Sequence, residues 1–300
     1  MSYKLPLHEV FGHRGASAYR PENTLEAFDL AFEMGSDAIE CDLVPTKDGH
    51  LIIRHESELS GTTNVASHAE FADRHRSELF YGQWKVEGWF SEDFTLEEMA
   101  QLRAIERLPE LRPGSAKFDG LFAVPTIDQL LAQPLAAGKR LILEIKHGGH
   151  YTAKGFDVVG MLAQSVAASP LASRPEALVY EAFHWETIVD LKARIGGASQ
   201  FVFLVEWWGM PKTEAEIPAW LDNVAANVDG ISFDVKLLLE NPALVESAHS
   251  RGLKVFTWTA RAEEAETSIE EYYHRFTQLG TDGVFADHPD LFSQYVRGLA

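Results

Sequence analysis

The residues Gly35-Ser36-Asp37-Ala38-Ile39-Glu40-Cys41-Asp42-Leu43 carry the main signal for the fold. Apolar residues at four of the six positions 38–43 predict a strand, and Gly35 is the residue type that ends a helix in a left-handed conformation. A helical pattern over 24–34 precedes this stretch, and a strand-like run over 10–15 comes before that helix. This strand–helix–strand order predicts two parallel strands joined by a crossover helix.

The same alternation continues along most of the chain. Six further runs complete a set of eight predicted strands, at 141–146, 177–183, 200–205, 230–234, 254–259 and 283–286. Further helical patterns lie at 156–168, 186–195, 214–225 and 242–251. Eight strands alternating with helices favour an α/β protein with a parallel sheet, and eight strands close a TIM (β/α)8 barrel. A doubly wound open sheet with the same elements is the structural alternative.

One stretch, at about 64–124, leaves the alternation, and such a length is too great for a bare loop in a compact domain. We therefore interpret residues 1–300 as a single domain with an inserted subdomain after the second strand. A helix is predicted within the insertion at 96–102, and Trp84 and Trp89 are expected to belong to its core. The insertion is rich in aromatic residues, namely Phe80, Tyr81, Trp84, Trp89, Phe90 and Phe94.

The composition and net charge limit the kinds of molecule that this chain is expected to bind. Apolar residues make up 46% of the 300 residues, which is typical of a globular chain with a sizeable core. The formal net charge of −19 argues against nucleic acid or an anionic membrane surface as the partner. No apolar run reaches the roughly 18 residues of a membrane helix, and no signal-peptide pattern is evident. We therefore expect a cytoplasmic protein without membrane insertion, and the sequence leaves its oligomeric state open.

Polar side chains recur where the predicted strands end. The first strand ends in His13-Arg14-Gly15, and in the second Glu40 and Asp42 are two residues apart, so that both face the same side. Glu144 and Lys146 repeat this spacing at the end of the third. A short strand at 51–54 leads into His55-Glu56. Because the active site of a parallel barrel lies at the C-terminal ends of its strands, we expect these groups to meet there.

The residue types in this set point to phosphodiester chemistry. Three carboxylates in one pocket repel one another, and a divalent cation removes that conflict. An all-oxygen ligand set of Glu40, Asp42 and Glu144 suits Mg²⁺ or Ca²⁺. Arg14 and Lys146 then add positive charge for a phosphate. His13 and His55 are suited to proton transfer near neutral pH.

The ordered motifs of this chain resemble those of the glycerophosphodiester phosphodiesterase family. The opening match is Gly12-His13-Arg14-Gly15-Ala16, Pro21-Glu22-Asn23-Thr24 and 35–42, followed by Thr46-Lys47-Asp48-Gly49, His55-Glu56 and Thr62-Thr63. Later matches are Glu144-Ile145-Lys146, Thr257-Trp258-Thr259 and Asp282-Gly283-Val284-Phe285-Ala286-Asp287-His288-Pro289. Two positions depart from the family pattern: Glu56 stands in place of Asp, and Gly61 in place of an Arg before the Thr-Thr pair.

The resemblance implies a TIM barrel that hydrolyses glycerophosphodiesters, such as glycerophosphocholine or glycerophosphoethanolamine, to glycerol 3-phosphate and an alcohol. It implies that His13 and His55 act as general acid and base. It places the metal on Glu40, Asp42 and Glu144. It places phosphate oxygens on Arg14 and Lys146. Trp258 would lie against the glycerol moiety, and Phe285, in another matched motif, is also predicted to contact the substrate.

Three further interpretations stay open at this stage. Trp207 and Trp208 follow Glu206 at a strand end and could line a pocket for a choline-like alcohol, or one of them could pack under the insertion. His147, His150 and Tyr151 are expected in an exposed loop. As to activity, the alternatives are a phospholipase D-like release of a headgroup from lysophospholipid or sphingolipid, or a catalytically silent phosphodiester-binding barrel.

Overall fold

A closed barrel of eight parallel strands organises the computed structural model, which describes residues 8–80, 82–133 and 138–298. The first strand, β1, pairs with both β2 and β11, and this double pairing closes the sheet. The TIM-barrel prediction is thus confirmed, and the doubly wound alternative is wrong. The barrel strands are β1 (Glu9–Gly12), β2 (Ala38–Pro45), β6 (Arg140–Ile145), β7 (Leu178–Ala182), β8 (Gln200–Val205), β9 (Gly230–Asp234), β10 (Lys254–Ala260) and β11 (Gly283–Ala286).

Helices cover the outside of the barrel. The first begins after Thr24, whose side chain accepts a hydrogen bond from the backbone N–H of Ala27 at 3.2 Å, which satisfies one of the free donors of the first turn. The helices are α1 (Leu25–Glu33), α2 (Leu96–Met99), α3 (Ile127–Leu131), α4 (Gly148–Ala153), α5 (Val158–Ala168), α6 (Trp185–Arg194), α7 (Ile217–Asn227), α8 (Val235–Glu240), α9 (Ala243–His249), α10 (Ile269–Gln278) and α11 (Pro289–Gly298).

The inside of the barrel is filled by its own small apolar cluster, distinct from the larger one between strands and helices. Because side chains alternate along a strand, the residues two positions beyond these inward-facing ones point to the same interior, closer to the C-terminal mouth. The direction of the side chains along each strand therefore determines which polar residues lie together at that mouth. Its apolar members are Phe11, Ala38, Ile142, Val179, Val202, Phe256 and Phe285.

The segment between β2 and β6 departs from the strand–helix alternation. Strand β3 (Leu51–Ile53) runs antiparallel to β2, and a separate two-stranded hairpin follows, formed by β4 (Arg76–Phe80) and β5 (Trp84–Gly88). Its buried apolar side chains, such as Phe71 and Phe94, belong to the same cluster that packs around the barrel. The irregular segment thus shares its core with the barrel.

Two expectations for this segment need correction. The helix expected at 96–102 is a single turn, Leu96–Met99. Trp84 is not a core residue: it begins an exposed hairpin strand, and about half of its surface is accessible. Trp89 does pack inside the segment, and its indole N–H donates to the carbonyl of Phe71 at 2.7 Å. Tyr81 lies outside the described residues.

No helix within the described ranges has both the length and the apolar character that crossing a membrane requires.

Candidate active site

The C-terminal mouth of the barrel opens into a cavity of about 480 Å³. The inward-facing side chains continue the alternation of the barrel interior, so that Phe11 is followed by His13, Ala38 by Glu40, and Ile142 by Glu144. The same step of two leads from Phe256 to Trp258. Strand parity therefore explains why chemically active side chains from several strands share one cavity.

The turn after β1 contains one position that only glycine can occupy without strain. Gly15 has a φ of +83°, and a Cβ there would lie 2.6 Å from the carbonyl carbon of Ala27. Arg14 beside it also has a positive φ, 57°, and its backbone N–H donates to Oε2 of Glu40 at 2.9 Å. The tight turn thus directs the Arg14 guanidinium into the cavity beside the acidic cluster.

Glu40, Asp42 and Glu144 are all buried, and each offers a carboxylate oxygen within 4.8 Å of those of the other two. Oε1 of Glu40 has no hydrogen-bond partner among the described residues. Burial, reinforced by Asp42 and Glu144, raises the pKa of Glu40 well above its usual value. Burial likewise raises the pKa of Glu144 to about 7. Ionisation of all three carboxylates is therefore unfavourable in this pocket, and a divalent cation would remove that cost.

Two cationic side chains flank this cluster. Nζ of Lys146 lies 2.7 Å from Oε1 of Glu144 and 3.5 Å from Oδ1 of Asp42, and Nε of Arg14 lies 3.4 Å from Oδ2 of Asp42. Burial alone would raise the pKa of Asp42, but electrostatic attraction to His55, Arg14 and Lys146 holds that pKa below the usual value. Asp42 is therefore the carboxylate of the three that stays ionised most easily.

Both predicted proton-transfer residues line the cavity, and each has a carboxylate on its Nδ1. Nδ1 of His13 lies 2.6 Å from Oδ1 of Asp287, and Nδ1 of His55 lies 2.5 Å from Oε1 of Glu56. Burial and the charge of Arg14 lower the pKa of both imidazoles, and that of His55 falls well below its usual value. With Nδ1 engaged in each case, Nε2 is the nitrogen available for proton transfer.

Several residues of this site escaped the sequence analysis. Glu181 at the end of β7 is buried in the cavity wall, and burial together with Glu144 raises its pKa well above the usual value. The sequence signal that identifies Glu181 as a cavity residue is its position two residues after Val179, which faces the barrel interior. Asp287 lies in the matched motif at 282–289, but the motif alone does not indicate its role. Arg107 and Arg112 come from the irregular segment, and no local pattern connects them to the barrel.

Aromatic side chains form the opposite wall. Trp258 and Phe183 contact edge to face with ring centroids 5.6 Å apart, and Phe183 stacks on Trp208 at 6.2 Å. Phe285 is buried at the cavity floor. The indole N–H of Trp208 donates to Glu206, which also lines the cavity.

The structure does not bring Trp207 into this wall. Leu204 at the end of β8 and Glu206 and Trp208 in the turn after it line the cavity, whereas Trp207 is 76% exposed. Trp208 is half exposed, so neither tryptophan packs under the insertion. On the hairpin side of the cavity, Gln83 and Trp84 complete the lining.

The segment after Lys146 is the short helix α4, not an exposed loop. His150 and Tyr151 are buried, because the ring of His150 stacks on Phe80 of the hairpin at 4.2 Å, and His147 lines the cavity. A second group of possible ligands, Glu78, Glu92 and His150, lies here. Lys154 already pairs with Glu78, and its Nζ lies 2.7 Å from Oε1 of Glu92, so this group joins the hairpin to the helix.

Comparison with known proteins agrees with this geometry. The sequence profile of the glycerophosphoryl diester phosphodiesterase family matches residues 13–291. A glycerophosphodiester phosphodiesterase of Arabidopsis thaliana is 29% identical over 94% of this chain and 84% of its own length. One of Caldanaerobacter subterraneus is also 29% identical, over 96% and 97%. Among solved structures, an Oleispira antarctica phosphodiesterase in complex with the product sn-glycerol-3-phosphate superimposes with a TM-score of 0.69, 21% identity and 97% coverage of both chains.

Proposed function

Because this chain belongs to the glycerophosphoryl diester phosphodiesterase family, we propose that it hydrolyses glycerophosphodiesters to glycerol 3-phosphate and an alcohol in a metal-dependent reaction. The observation that carries the proposal is the meeting of three buried carboxylates, two cationic side chains and two carboxylate-held histidines in one cavity. We assign all of this chemistry to one domain over 1–300, with the insertion at about 64–124 contributing one side of the cavity.

Glu40, Asp42 and Glu144 are the proposed metal ligands. The unpartnered Oε1 of buried Glu40 and the raised pKa values of Glu40 and Glu144 support this assignment, because a divalent cation would satisfy both. The donors are all oxygen atoms, which suits Ca²⁺ or Mg²⁺. When bound, the cation would supply positive charge to a phosphoryl oxygen.

Arg14 and Lys146 would hold the remaining charge of the phosphate, since both cations lie beside the acidic cluster within the cavity. Hydrolysis needs a base that takes a proton from the attacking oxygen and an acid that gives one to the leaving alcohol. His13 and His55 would fill these two roles through Nε2. The attacking oxygen is that of water or of the substrate's own glycerol hydroxyl.

The aromatic wall would contact the organic parts of the substrate. Trp258, above the buried Phe285, would lie against the glycerol moiety. Trp208 and Glu206 would face the alcohol, and an aromatic ring beside a carboxylate is suited to a choline or ethanolamine cation. We therefore propose glycerophosphocholine and glycerophosphoethanolamine as substrates.

A second candidate is release of the headgroup from a lysophospholipid. The half-exposed Trp84 and Trp208 on two sides of the cavity favour it, since they could cover part of an acyl chain. Equal concentrations of glycerophosphocholine and lysophosphatidylcholine, assayed for choline release, separate the two candidates.

The deciding experiment measures glycerol 3-phosphate release from a panel of glycerophosphodiesters, first with chelator and then with Ca²⁺ or Mg²⁺ added back. We expect no release with chelator and recovery with at least one cation. Absence of metal-dependent release from every member of the panel would overturn the proposal.

A further inference from the structure

The irregular segment between β2 and β6 contributes two arginines, Arg107 and Arg112, that lie close to the cavity. Both line a smaller cavity of about 180 Å³ that also has His13 and Arg14 in its wall, so it adjoins the main one. Five positions separate the two arginines along the chain. Each contacts the carboxylate that in turn holds one of the two histidines.

Arg107 bridges two carboxylates. It donates through NH1 to Oε1 of Glu56 at 2.9 Å and through NH2 to Oε2 at 2.5 Å. On its other side it donates through Nε and NH2 to Glu22 at 2.8 and 2.7 Å. Glu56 holds His55, and Glu22 accepts from the guanidinium of Arg14 at 3.1 Å. Arg107 is thus connected through one carboxylate to His55 and through another to Arg14, a proposed phosphate-binding residue.

Arg112 contacts the carboxylate that holds the other histidine, through one donor instead of two. Its NH2 lies 2.5 Å from Oδ2 of Asp287, whose other oxygen holds His13. Its Nε donates to Glu263 at 2.7 Å, and its NH1 donates to the backbone carbonyl of Ser17 at 3.2 Å. The Arg112 side chain is only 7% exposed. Arg261 also reaches Oδ2 of Asp287, at 3.1 Å, so this carboxylate has two guanidinium neighbours.

Arg107 binds Glu56 with two donors and so fixes the plane of that carboxylate. Arg112 restrains Asp287 through one donor, on the oxygen that does not contact His13. Glu56 has one rotatable bond more than the Asp of the family pattern and depends more on such a restraint. Removing the guanidinium would leave the carboxylate free to turn away from the imidazole without opening the barrel itself.

We propose that Arg107 and Arg112 are positioning residues supplied by the irregular segment, with Arg107 acting on His55 through Glu56 and Arg112 acting on His13 through Asp287. The proposal rests on the proposed function, in which both histidines transfer protons. It assigns this segment a part in the chemistry in addition to its packing on the barrel.

The kinetic test compares Arg107→Ala, Arg107→Lys, Arg112→Ala and Arg112→Lys with Arg103→Ala at saturating metal. Arg103 is a matched control from the same segment, because its guanidinium donates to the carbonyls of Ala100 and Leu102 instead of a carboxylate. We expect each alanine variant to lower kcat by about 10- to 100-fold with little change in KM, as for other residues that orient active-site ligands. The lysine variants, which keep the charge but lose the fork, should fall between.

Pairing each arginine with each carboxylate variant tests the assignment. Arg107→Ala should be non-additive with Glu56→Gln and additive with Asp287→Asn, and Arg112→Ala should show the reverse. Equal coupling to both carboxylates would mean that the whole segment has loosened and would overturn the proposal. Losses in kcat no larger than that of Arg103→Ala would overturn it as well.

A spectroscopic readout keeps the inference separate from the choice of substrate. In the wild type, ¹⁵N NMR of the imidazoles should show the proton on Nδ1 of both His13 and His55. Arg107→Ala should give mixed tautomers at His55 alone, and Arg112→Ala at His13 alone, whether or not glycerophosphodiesters are turned over. Unchanged tautomers in both variants would refute the positioning role, whereas lack of turnover in the wild type would refute only the proposed function.

Discussion

Nδ1 of His13 lies 2.6 Å from Oδ1 of Asp287, although 274 positions separate the two residues in the chain. The register of the barrel brings them together. Strand β1 pairs with β11 in parallel, with Gly12 opposite Ala286, so the next residue on each strand emerges at the same height of the mouth. The last strand of the barrel thereby supplies the partner for a histidine of the first.

This pair leads to the first prediction. Asp287→Asn should lower kcat by about 10²- to 10⁴-fold, because an amide no longer selects the imidazole tautomer that a carboxylate selects. The effect is measured by steady-state kinetics on glycerophosphocholine at saturating metal. Asp290→Asn is the control: Asp290 accepts from the Tyr19 hydroxyl at 2.8 Å and does not line the cavity. A kcat for Asp287→Asn within twofold of that control would contradict the prediction.

The second prediction separates the roles of the two histidines. His13→Ala and His55→Ala should both lose nearly all turnover of glycerophosphocholine while keeping the wild-type Tm. A diester that releases nitrophenol needs little protonation of its leaving group, so the variant that lacks the general acid should recover activity on it. The variant that lacks the general base should stay inactive. Full activity of either variant on glycerophosphocholine would remove that histidine from the mechanism.

The third prediction concerns pH and metal. The pKa of Glu144 is raised to about 7 from an ordinary 4.5, so folding favours its protonated form. The stabilisation from this group is complete below the ordinary value and is lost as pH rises through about 7. The Tm of metal-free protein should therefore fall between about pH 5 and 7 more steeply than that of Glu144→Gln. Ca²⁺ or Mg²⁺ should raise the wild-type Tm more at the higher pH.

The Glu144→Gln variant provides the control for this measurement, since it cannot ionise at that position. Parallel Tm profiles for the two proteins in the absence of metal would show that Glu144 does not titrate in this range. A cation-induced rise in Tm that is as large in Glu144→Gln as in the wild type would remove Glu144 from the ligand set.

The fourth prediction concerns the alcohol. Glu206→Gln and Trp208→Ala should each raise KM for glycerophosphocholine about tenfold, because a cation beside an aromatic face and a carboxylate loses on the order of 1–2 kcal/mol. KM for glycerophosphoglycerol, whose alcohol is neutral, should change little. Trp207→Ala is the matched control, because its side chain is exposed outside the cavity. Equal effects on both substrates would show that this wall does not recognise charge.

Local sequence patterns predict the barrel and most of the candidate metal and proton-transfer residues. Both follow from local order: alternation of apolar runs identified the strands, and spacing by two residues placed Glu40 with Asp42 and Glu144 with Lys146 on common faces. Seven of the eight predicted strands agree with those of the barrel to within two residues at each end, and the first ends at Gly12, three residues before its predicted end.

The side chains that support these residues are brought to them by contacts between distant elements of the fold. Asp287 meets His13 through strand pairing between the two ends of the chain, and Arg107 and Arg112 arrive from a segment without a repeating pattern. The aromatic wall is a further example, because the turn after β8 directs Trp208 into the cavity and leaves Trp207 exposed. The physical reason is that periodicity reports the direction of a side chain within its own element. The distance between elements depends on how strands, turns and irregular segments pack against one another.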